Sequence, residues 1–347
     1  MLIDLRSDTV TRPCADMRRV MAEAQVGDDV LGDDPTVRRL QEHTADLLGK
    51  DAALYVPSGT MANQIAIRVQ TQPGDEIIIH RDSHIYLNEA GAPAALSGCS
   101  LSLLPGDRGR FDAEMVRQAV RSSDIHHPRS SLIVLENTHN WASGSVWPLE
   151  KIAAIHRTAD EFNLNMHLDG ARLMNACVAS GNKPAHCAKY FDTVAICFSK
   201  GLGAPVGSAV AGSAEAVKRM HRIRKMLGGG MRQAGIIAAG ALYALEHNVD
   251  RLAKDHANAK RLAEALADMP GASIDPTTVE TNIVFFDVHE SVGSAKAFCQ
   301  QLADQDILML PLGAQRVRAV THLDVAVTDI DRAITMIQQI LKSKTAA

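Results

Sequence analysis

The strongest constraint on the fold of this chain is a unit that recurs through its N-terminal part. A short apolar run, closed by glycine, proline or a polar turn, is followed by a stretch with helical spacing. The runs lie at 54–57, 76–80, 100–104, 131–136, 164–169, 194–198 and 205–212. Short runs that are apolar throughout read as strands buried on both faces. Strands alternating with helices build a mostly parallel sheet with helices on either side. In open sheets of this kind, ligands bind outside the carboxyl ends of the strands. Two runs put an ionisable group there: 164–169 ends on Asp169, and 194–198 leads into Ser199-Lys200-Gly201.

A lysine enclosed at a strand end loses hydration, which lowers its pKa and favours the neutral, nucleophilic amine. Such an amine condenses with aldehydes. Asp169 supplies the second requirement of pyridoxal phosphate, a carboxylate for the pyridinium nitrogen. Alone, Lys200 has an ordinary reading, a lysine leaving the sheet for solvent. Upstream, the run at 54–57 meets Ser58-Gly59-Thr60 before an apolar helix. Glycine lets backbone approach a ligand, and a helix N-terminus offers unpaired N–H groups and a positive dipole end that suit a phosphate. The same residues also cap a helix well with no ligand. His84, in the loop beyond the run at 76–80, is placed to stack on a flat cofactor and carry protons near neutral pH; the commoner reading is a surface histidine.

From about residue 249 the pattern changes. Helices at 251–269, 293–304 and 330–341 and strands near 282–288, 307–310 and 316–320 read as a compact α+β lobe. The expected division is a large domain over 1–248 and a small C-terminal domain over 249–347. Two helices expected to be basic flank the glycine-rich segment 226–233. The net charge of −4, with no long basic run, argues against nucleic-acid binding. No apolar run is long enough to span a bilayer, and residues 1–6 lack the organisation of a signal peptide. Six cysteines, at 14, 99, 177, 187, 197 and 299, include no Cys-x-x-Cys, which favours reduced thiols and a cytoplasmic protein. His186-Cys187 is the nearest approach to a metal pair, and two ligands make a weak site, so no metal is expected.

With these residues in place, the sequence resembles the L-threonine aldolases, pyridoxal-phosphate enzymes of the aspartate-aminotransferase fold (fold type I). The shared stretches run in order along nearly the whole chain. They include Asp4-Leu-Arg-Ser-Asp-Thr-Val-Thr11, Pro57-Ser-Gly-Thr-Met61, Glu136-Asn-Thr-His-Asn140, His167-Leu-Asp-Gly-Ala-Arg172, Cys197-Phe-Ser-Lys-Gly-Leu202 and Lys225-Met-Leu-Gly-Gly-Gly-Met-Arg-Gln233. The resemblance implies retro-aldol cleavage of L-threonine, L-allo-threonine and other L-β-hydroxy-α-amino acids to glycine and an aldehyde. It also implies a homotetramer, a dimer of dimers with sites at an interface. Lys200 matches the lysine that holds the cofactor aldehyde, and Asp169 the partner of the ring nitrogen. Gly59 and Thr60 match the phosphate turn, and His84 the histidine over the ring. Arg172 matches the arginine near the cofactor's phenolic oxygen and the substrate carboxylate, and Ser7 and Arg318 match further carboxylate contacts. Arg232 matches an arginine that reaches a phosphate across a subunit boundary, and His126 a second histidine near the substrate hydroxyl. The general base stays open between His84 and His126. On the same fold, a β-eliminating lyase and an amino-acid racemase are the nearest alternatives.

Two positions depart from the family pattern. The loop Gly27-Asp-Asp-Val continues with Leu31 where most relatives carry tyrosine, and His127 replaces a usual phenylalanine. An apolar wall in place of a phenol favours substrates with larger, less polar side chains. Leu31→Tyr is therefore expected to move the kcat/KM ratio of threonine over phenylserine toward threonine by roughly tenfold, the scale of one pocket contact. Steady-state rates on the two substrates check this, and an unchanged ratio removes Leu31 from the specificity-determining set.

Overall fold

The computed structural model describes residues 2–345. The N-terminal segment carries a short strand, β1 (Ile3–Asp4), and two helices, α1 (Ala15–Ala22) and α2 (Pro35–Leu48). The expected alternation follows as β2 (Ala52–Val56), α3 (Gly59–Gln70), β3 (Glu76–His80), α4 (His84–Leu87), α5 (Ala92–Ser97) and β4 (Ser100–Leu104). It continues as α6 (Ala113–Ala119), β5 (Ser130–Glu136), α7 (Leu149–Phe162), β6 (Asn165–Gly170), α8 (Leu173–Ser180), α9 (Pro184–Ala188), β7 (Thr193–Cys197) and β8 (Ser208–Gly212).

These strands form one sheet in the order β2-β8-β7-β6-β5-β3-β4. Every neighbouring pair is parallel except those made by β8, which runs antiparallel to both β2 and β7. All the other strands therefore point one way, and the loops that leave β2, β3, β5, β6 and β7 emerge on one edge. Both faces are buried, which is why the strands read as continuous apolar runs. In β3, Ile78 faces the core under α2 and α7, while Ile77 and Ile79 face a separate cluster with Ile67 and Ile85. In β2, Tyr55 joins the first cluster and Leu54 and Val56 join a third, with Ile65 and Met220.

The turn between β7 and β8 carries Lys200. It is held by Gly203 N–H to Lys200 O (2.8 Å), Ala204 N–H to Phe198 O (3.0 Å) and Phe198 N–H to Gly207 O (3.0 Å). Gly207 closes it at φ +109, where a β-carbon would come within 2.3 Å of the Tyr55 hydroxyl, so only glycine fits.

Past β8 lie α10 (Ala214–Met226) and α11 (Gly235–His247). The expectation of two basic helices holds for α10 alone. α11, Gly-Ile-Ile-Ala-Ala-Gly-Ala-Leu-Tyr-Ala-Leu-Glu-His, is buried along most of its length and packs on α1 and α2. The C-terminal part adds α12 (Leu252–Ala267), β9 (Ala272–Ser273), β10 (Ile283–Val288), α13 (Ala295–Ala303), β11 (Ile307–Leu308), β12 (Leu310–Pro311), β13 (Arg316–Val320) and α14 (Val327–Thr345). Four of its strands form an antiparallel sheet, β12-β13-β10-β9. β11 instead pairs in parallel with β1, so Ile3 and Leu5 are part of the C-terminal apolar cluster. Leu252, past the expected boundary, belongs to the large cluster. The N-terminal segment thus crosses between the two lobes, and no described helix is long and apolar enough to cross a membrane.

Candidate active site

The carboxyl edge of the parallel strands gathers Ser58-Gly59-Thr60 after β2, His84 after β3, Glu136 at the end of β5, Asp169 on β6 and Lys200 after β7. Gly59 begins α3 hard against β7. A β-carbon there would lie 2.7 Å from Cys197 Sγ, so glycine is what lets the helix N-terminus sit beside the Lys200 turn. Ser58 Oγ caps the helix by accepting from Met61 N–H at 3.2 Å. The N–H groups of Gly59 and Thr60 have no acceptor among the described residues, which leaves a cradle for an anion.

Asp169 is 2% exposed. Its Oδ2 accepts from Asn63 Nδ2 at 2.9 Å, and its Oδ1 from Ala171 N–H at 3.1 Å. The Asn63 amide is oriented from behind by His167. Burial is the main cause that pushes His167 down to about 4, so it is neutral. Its Nε2 lies 3.1 Å from Asn63 Oδ1, and its Nδ1 lies 2.8 Å from Thr193 Oγ1. An imidazole donating at Nε2 to Asn63 Oδ1 and accepting at Nδ1 from the Thr193 hydroxyl fits both side chains; the Thr193 carbonyl oxygen also lies 3.2 Å from Nδ1. Asn63 Nδ2 is then free to donate a second time, to Glu89 Oε1 at 2.8 Å.

Glu89, which sequence reasoning missed, is buried and also accepts from Gln64 Nε2 at 2.7 Å. His84 Nδ1 lies 3.1 Å from Glu89 Oε1. Ligand atoms of His84, Glu89 and Asp169 all fall within 4.8 Å of one another. The Asn63 amide already bridges the two carboxylates where a cation would sit. Burial alone would lower the pKa of His84, but the Glu89 hydrogen bond and then the charge of Asp169 outweigh it, and the net shift is upward.

Arg172 is 7% exposed and its fork is spent on Asp8, with Nε to Oδ2 and Nη2 to Oδ1 both at 2.7 Å. The bidentate grip on a substrate carboxylate that planar arginines offer is therefore not open to Arg172; only Nη1 remains, 3.5 Å from Asn140 Oδ1. Arg318 Nη1 reaches the same Asn140 oxygen at 3.5 Å, and its Nη2 donates to Arg6 O at 3.1 Å. Its Nε is buried without a partner. Burial first, and then the charge of Arg172, lower the pKa of Arg318. Two guanidinium groups thus share one internal carboxylate, and the surplus positive charge fits an incoming carboxylate. Ser7 stands beside this pair, its Oγ accepting from Thr9 N–H (3.2 Å) and Thr9 Oγ1 (2.8 Å).

Lys200 is half-buried rather than enclosed. Its ammonium makes no hydrogen bond or ion pair with the described residues. An unpaired lysine, a buried carboxylate on the central strand of the sheet and an anion cradle at Gly59 and Thr60 fit pyridoxal phosphate.

Three expected site residues are not brought into this cluster by their own chain. His126 lies before the first residue of β5, at the amino edge of the sheet. The seven residues of β5 rise about 3.3 Å each, which separates His126 from the carboxyl edge by the length of a strand. Its ring is 80% exposed and paired with Asp124 at 2.7 Å. Leu31 (76% exposed) and Arg232 share another surface, joined by Arg232 Nη1 to Asp28 Oδ2 at 2.9 Å and Asp29 N–H to Arg232 O at 3.0 Å.

Glu89 is predicted to hold the pKa of His84 up. With His84 as the base, which works deprotonated, the acid limb of the kcat/KM profile is expected to follow the His84 pKa. Glu89→Gln removes the negative charge, lowers that pKa and moves the limb to lower pH, with a rate loss of roughly tenfold or more at the optimum. The pH profile of the variant checks this, and an unmoved limb rules the pair out.

Comparison with known proteins agrees with this geometry. Residues 4–291 match the family model described as beta-eliminating lyase. The low-specificity L-threonine aldolase of Escherichia coli K12 is 44% identical over 328 residues, covering 94% of this chain and 95% of its own. Low-specificity L-threonine aldolase 1 of Arabidopsis thaliana is 40% identical over 342 residues, covering 97% and 96%. Among solved structures, Leishmania major threonine aldolase superposes with a TM-score of 0.82 at 20% identity over 98% of this chain and 99% of its own. Sphingomonas wittichii serine palmitoyltransferase gives 0.78 at 17% identity over 99% and 88%. The two structures fix the fold as the type I architecture of pyridoxal-phosphate enzymes, and at the identities found for the bacterial and plant sequences the chain belongs to the beta-eliminating lyase family, among the low-specificity L-threonine aldolases.

Proposed function

We propose that this chain cleaves L-threonine, L-allo-threonine and related L-β-hydroxy-α-amino acids to glycine and an aldehyde, as an aldehyde-lyase dependent on pyridoxal phosphate. The observation that supports the residue roles is a pair of arginines with one internal carboxylate between them, Arg172 bonded to Asp8 and Arg318 not, together with the buried acidic cluster of Asp169 and Glu89 on the same edge. Bound there, the cofactor supplies an aldehyde for amines and a protonated ring that withdraws electrons. Lys200 offers its amine to that aldehyde. Asp169 would pair with the ring nitrogen and keep its proton in place. Gly59 and Thr60 N–H groups hold the phosphate at the start of α3. Arg318, with Arg172 Nη1 and the Ser7 hydroxyl, would receive the substrate carboxylate. Fixing that end turns the Cα–Cβ bond of the substrate into the orientation required for cleavage. His84 then takes the β-hydroxyl proton, the Cα–Cβ pair stays on Cα, and the oxygen keeps its carbon as a carbonyl. A proton returned to Cα completes glycine.

The reading is tested by products. Purified enzyme given L-threonine is expected to release glycine and acetaldehyde in equal amounts. An oxo acid with ammonia, or a change of hand at Cα with no cleavage, overturns it in favour of elimination or racemisation. Asp169→Ala, saturated with cofactor, is expected to lose roughly a hundredfold or more in kcat, with much less effect on substrate binding, because the ring charge matters most as the bond breaks.

The assembly belongs to the same proposal: a cytoplasmic homotetramer, a dimer of dimers, in which one copy lends His126, Leu31 and Arg232 to another copy's site. What supports it is their exposure, together with Ile125 at 97% exposed beside His126. An apolar side chain held out from a well-defined loop marks a contact surface. Lys200→Ala and His126→Ala chains, each nearly inactive alone, should regain about a quarter of wild-type activity when unfolded and refolded together. Random pairing makes half the twofold pairs mixed, and each mixed pair has one whole site. No recovery would put His126 in its own chain's site or in none.

A further inference from the structure

Glu136 belongs to the Glu-Asn-Thr-His-Asn stretch, to which no role attaches in the reaction above. Its carboxylate is 6% exposed at the end of β5, in register with Asp169 on β6. One oxygen, Oε2, accepts from the backbone N–H of His84 at 2.6 Å. The other, Oε1, accepts from the backbone N–H of Asn140 at 2.8 Å. The first residue carries the imidazole beside Asp169. The second carries the amide oxygen that both Arg172 and Arg318 reach at 3.5 Å. One rigid group, planar and seated on a central strand, therefore spans the loop that handles the proton and the loop that ties the carboxylate anchors. Charged acceptors bonded to backbone N–H groups are among the stronger hydrogen bonds of a folded chain. Its own main chain is pinned too, by Trp147 Nε1 donating to Glu136 O at 3.1 Å.

We propose that Glu136 is a positioning residue that fixes the distance between His84 and the arginine pair, and that this distance sets the preference between L-threonine and L-allo-threonine. The two substrates have the same carboxylate and amine and differ only in where Cβ points its hydroxyl and methyl. With the carboxylate seated on the arginines, the hydroxyl of one diastereomer falls nearer His84 than that of the other. Moving the two anchors relative to each other changes the two rates unequally. A ligand with no β-carbon, such as glycine, has no hydroxyl to set against His84 and does not sense the change.

The inference rests on the proposed function, and the experiment separates the two. Wild-type enzyme must first release glycine from both diastereomers; if it does not, the function itself fails. Glu136→Gln keeps one acceptor oxygen and turns an NH2 group toward a backbone N–H, so one of the two loops is released. The kcat/KM of both substrates is expected to fall by roughly tenfold to a hundredfold, the range that follows a misplacement of about 1 Å. Their ratio is expected to change by at least about threefold, since the two transition states lose unequal contacts. The dissociation constant of glycine, read from the change in visible absorption of the holoenzyme, is expected to stay within about twofold, because uniform binding is untouched. Glu136→Asp keeps both oxygens and is expected to give a ratio closer to wild type than Glu136→Gln gives. If the glutamine variant fails to fold, the aspartate variant is measured by the same ratio and must still depart from wild type. An unchanged ratio, or equal losses for both substrates and for glycine binding, overturns the proposal.

Discussion

A carboxylate and a guanidinium buried against each other, Asp8 and Arg172, hold together segments that are far apart in the chain. Asp8 comes from the N-terminal segment, Arg172 from the start of α8, and Asn282 Nδ2, at the head of β10, donates to Asp8 Oδ2 at 3.2 Å. Asp8 is driven well below the ordinary carboxylate range: burial opposes this, but Arg172 outweighs it. With its oxygens all bonded, the pair is stable as a unit. Removing either partner would strand a lone charge in a dry interior, at a cost of about 3–5 kcal/mol. The pair is also neutral as a unit, and that neutrality has a functional side. It leaves Arg318 with no carboxylate bonded to it among the described residues, only the more distant charge of Asp8.

The opposite end of the site is built in the reverse sense. Asp169 and Glu89 are both buried, and they share one amide donor, Asn63 Nδ2. The nearest group able to carry positive charge is the His84 ring, already drawn to Glu89. That end is rich in carboxylates, as the arginine end is short of one. A protonated ring at one end and an amino-acid carboxylate at the other complete both. His167 adds to this without any charge of its own, since a neutral imidazole between Thr193 and Asn63 fixes which way the amide points.

Most of the fold was legible because the signals are local. Apolar runs such as Glu76–His80 and Thr193–Cys197 stay apolar since both faces of the sheet are covered, and the residues that end them, Asp169 and Lys200, carry chemistry at an edge that parallel order makes common. The antiparallel β8 and the partnership of β1 with β11 left no local trace. The apolar character of α11 was there to be read in Ile236, Ile237, Leu242 and Leu245, but the basic pattern of α10 was carried over to it. Glu89, Asn63 and Glu136 escaped for another reason. A buried carboxylate or amide is recognised by what it bonds, and those partners come from other strands. For Arg172 the sequence pointed to a substrate contact, but only the structure shows that Asp8 takes its fork.

His126, Leu31 and Arg232 bring out a different limit. Each stands at a position that matches a site residue of the family, and each is exposed on its own chain. A lone chain has both charged ends of the site in place, yet Lys200 stays half-exposed, and water keeps the local dielectric high. Charge pairs that are strong in a closed site are worth far less beside bulk water. On the proposed assembly, the surfaces bearing Leu31 and His126 close over a neighbour's site. They would contribute their own groups and, by excluding water, strengthen the surplus charge at Arg318 and the acidic pair at Asp169 and Glu89. Such an arrangement couples activity to association. The electrostatic ends are preformed in each chain, and their full strength arrives only when a second copy covers them.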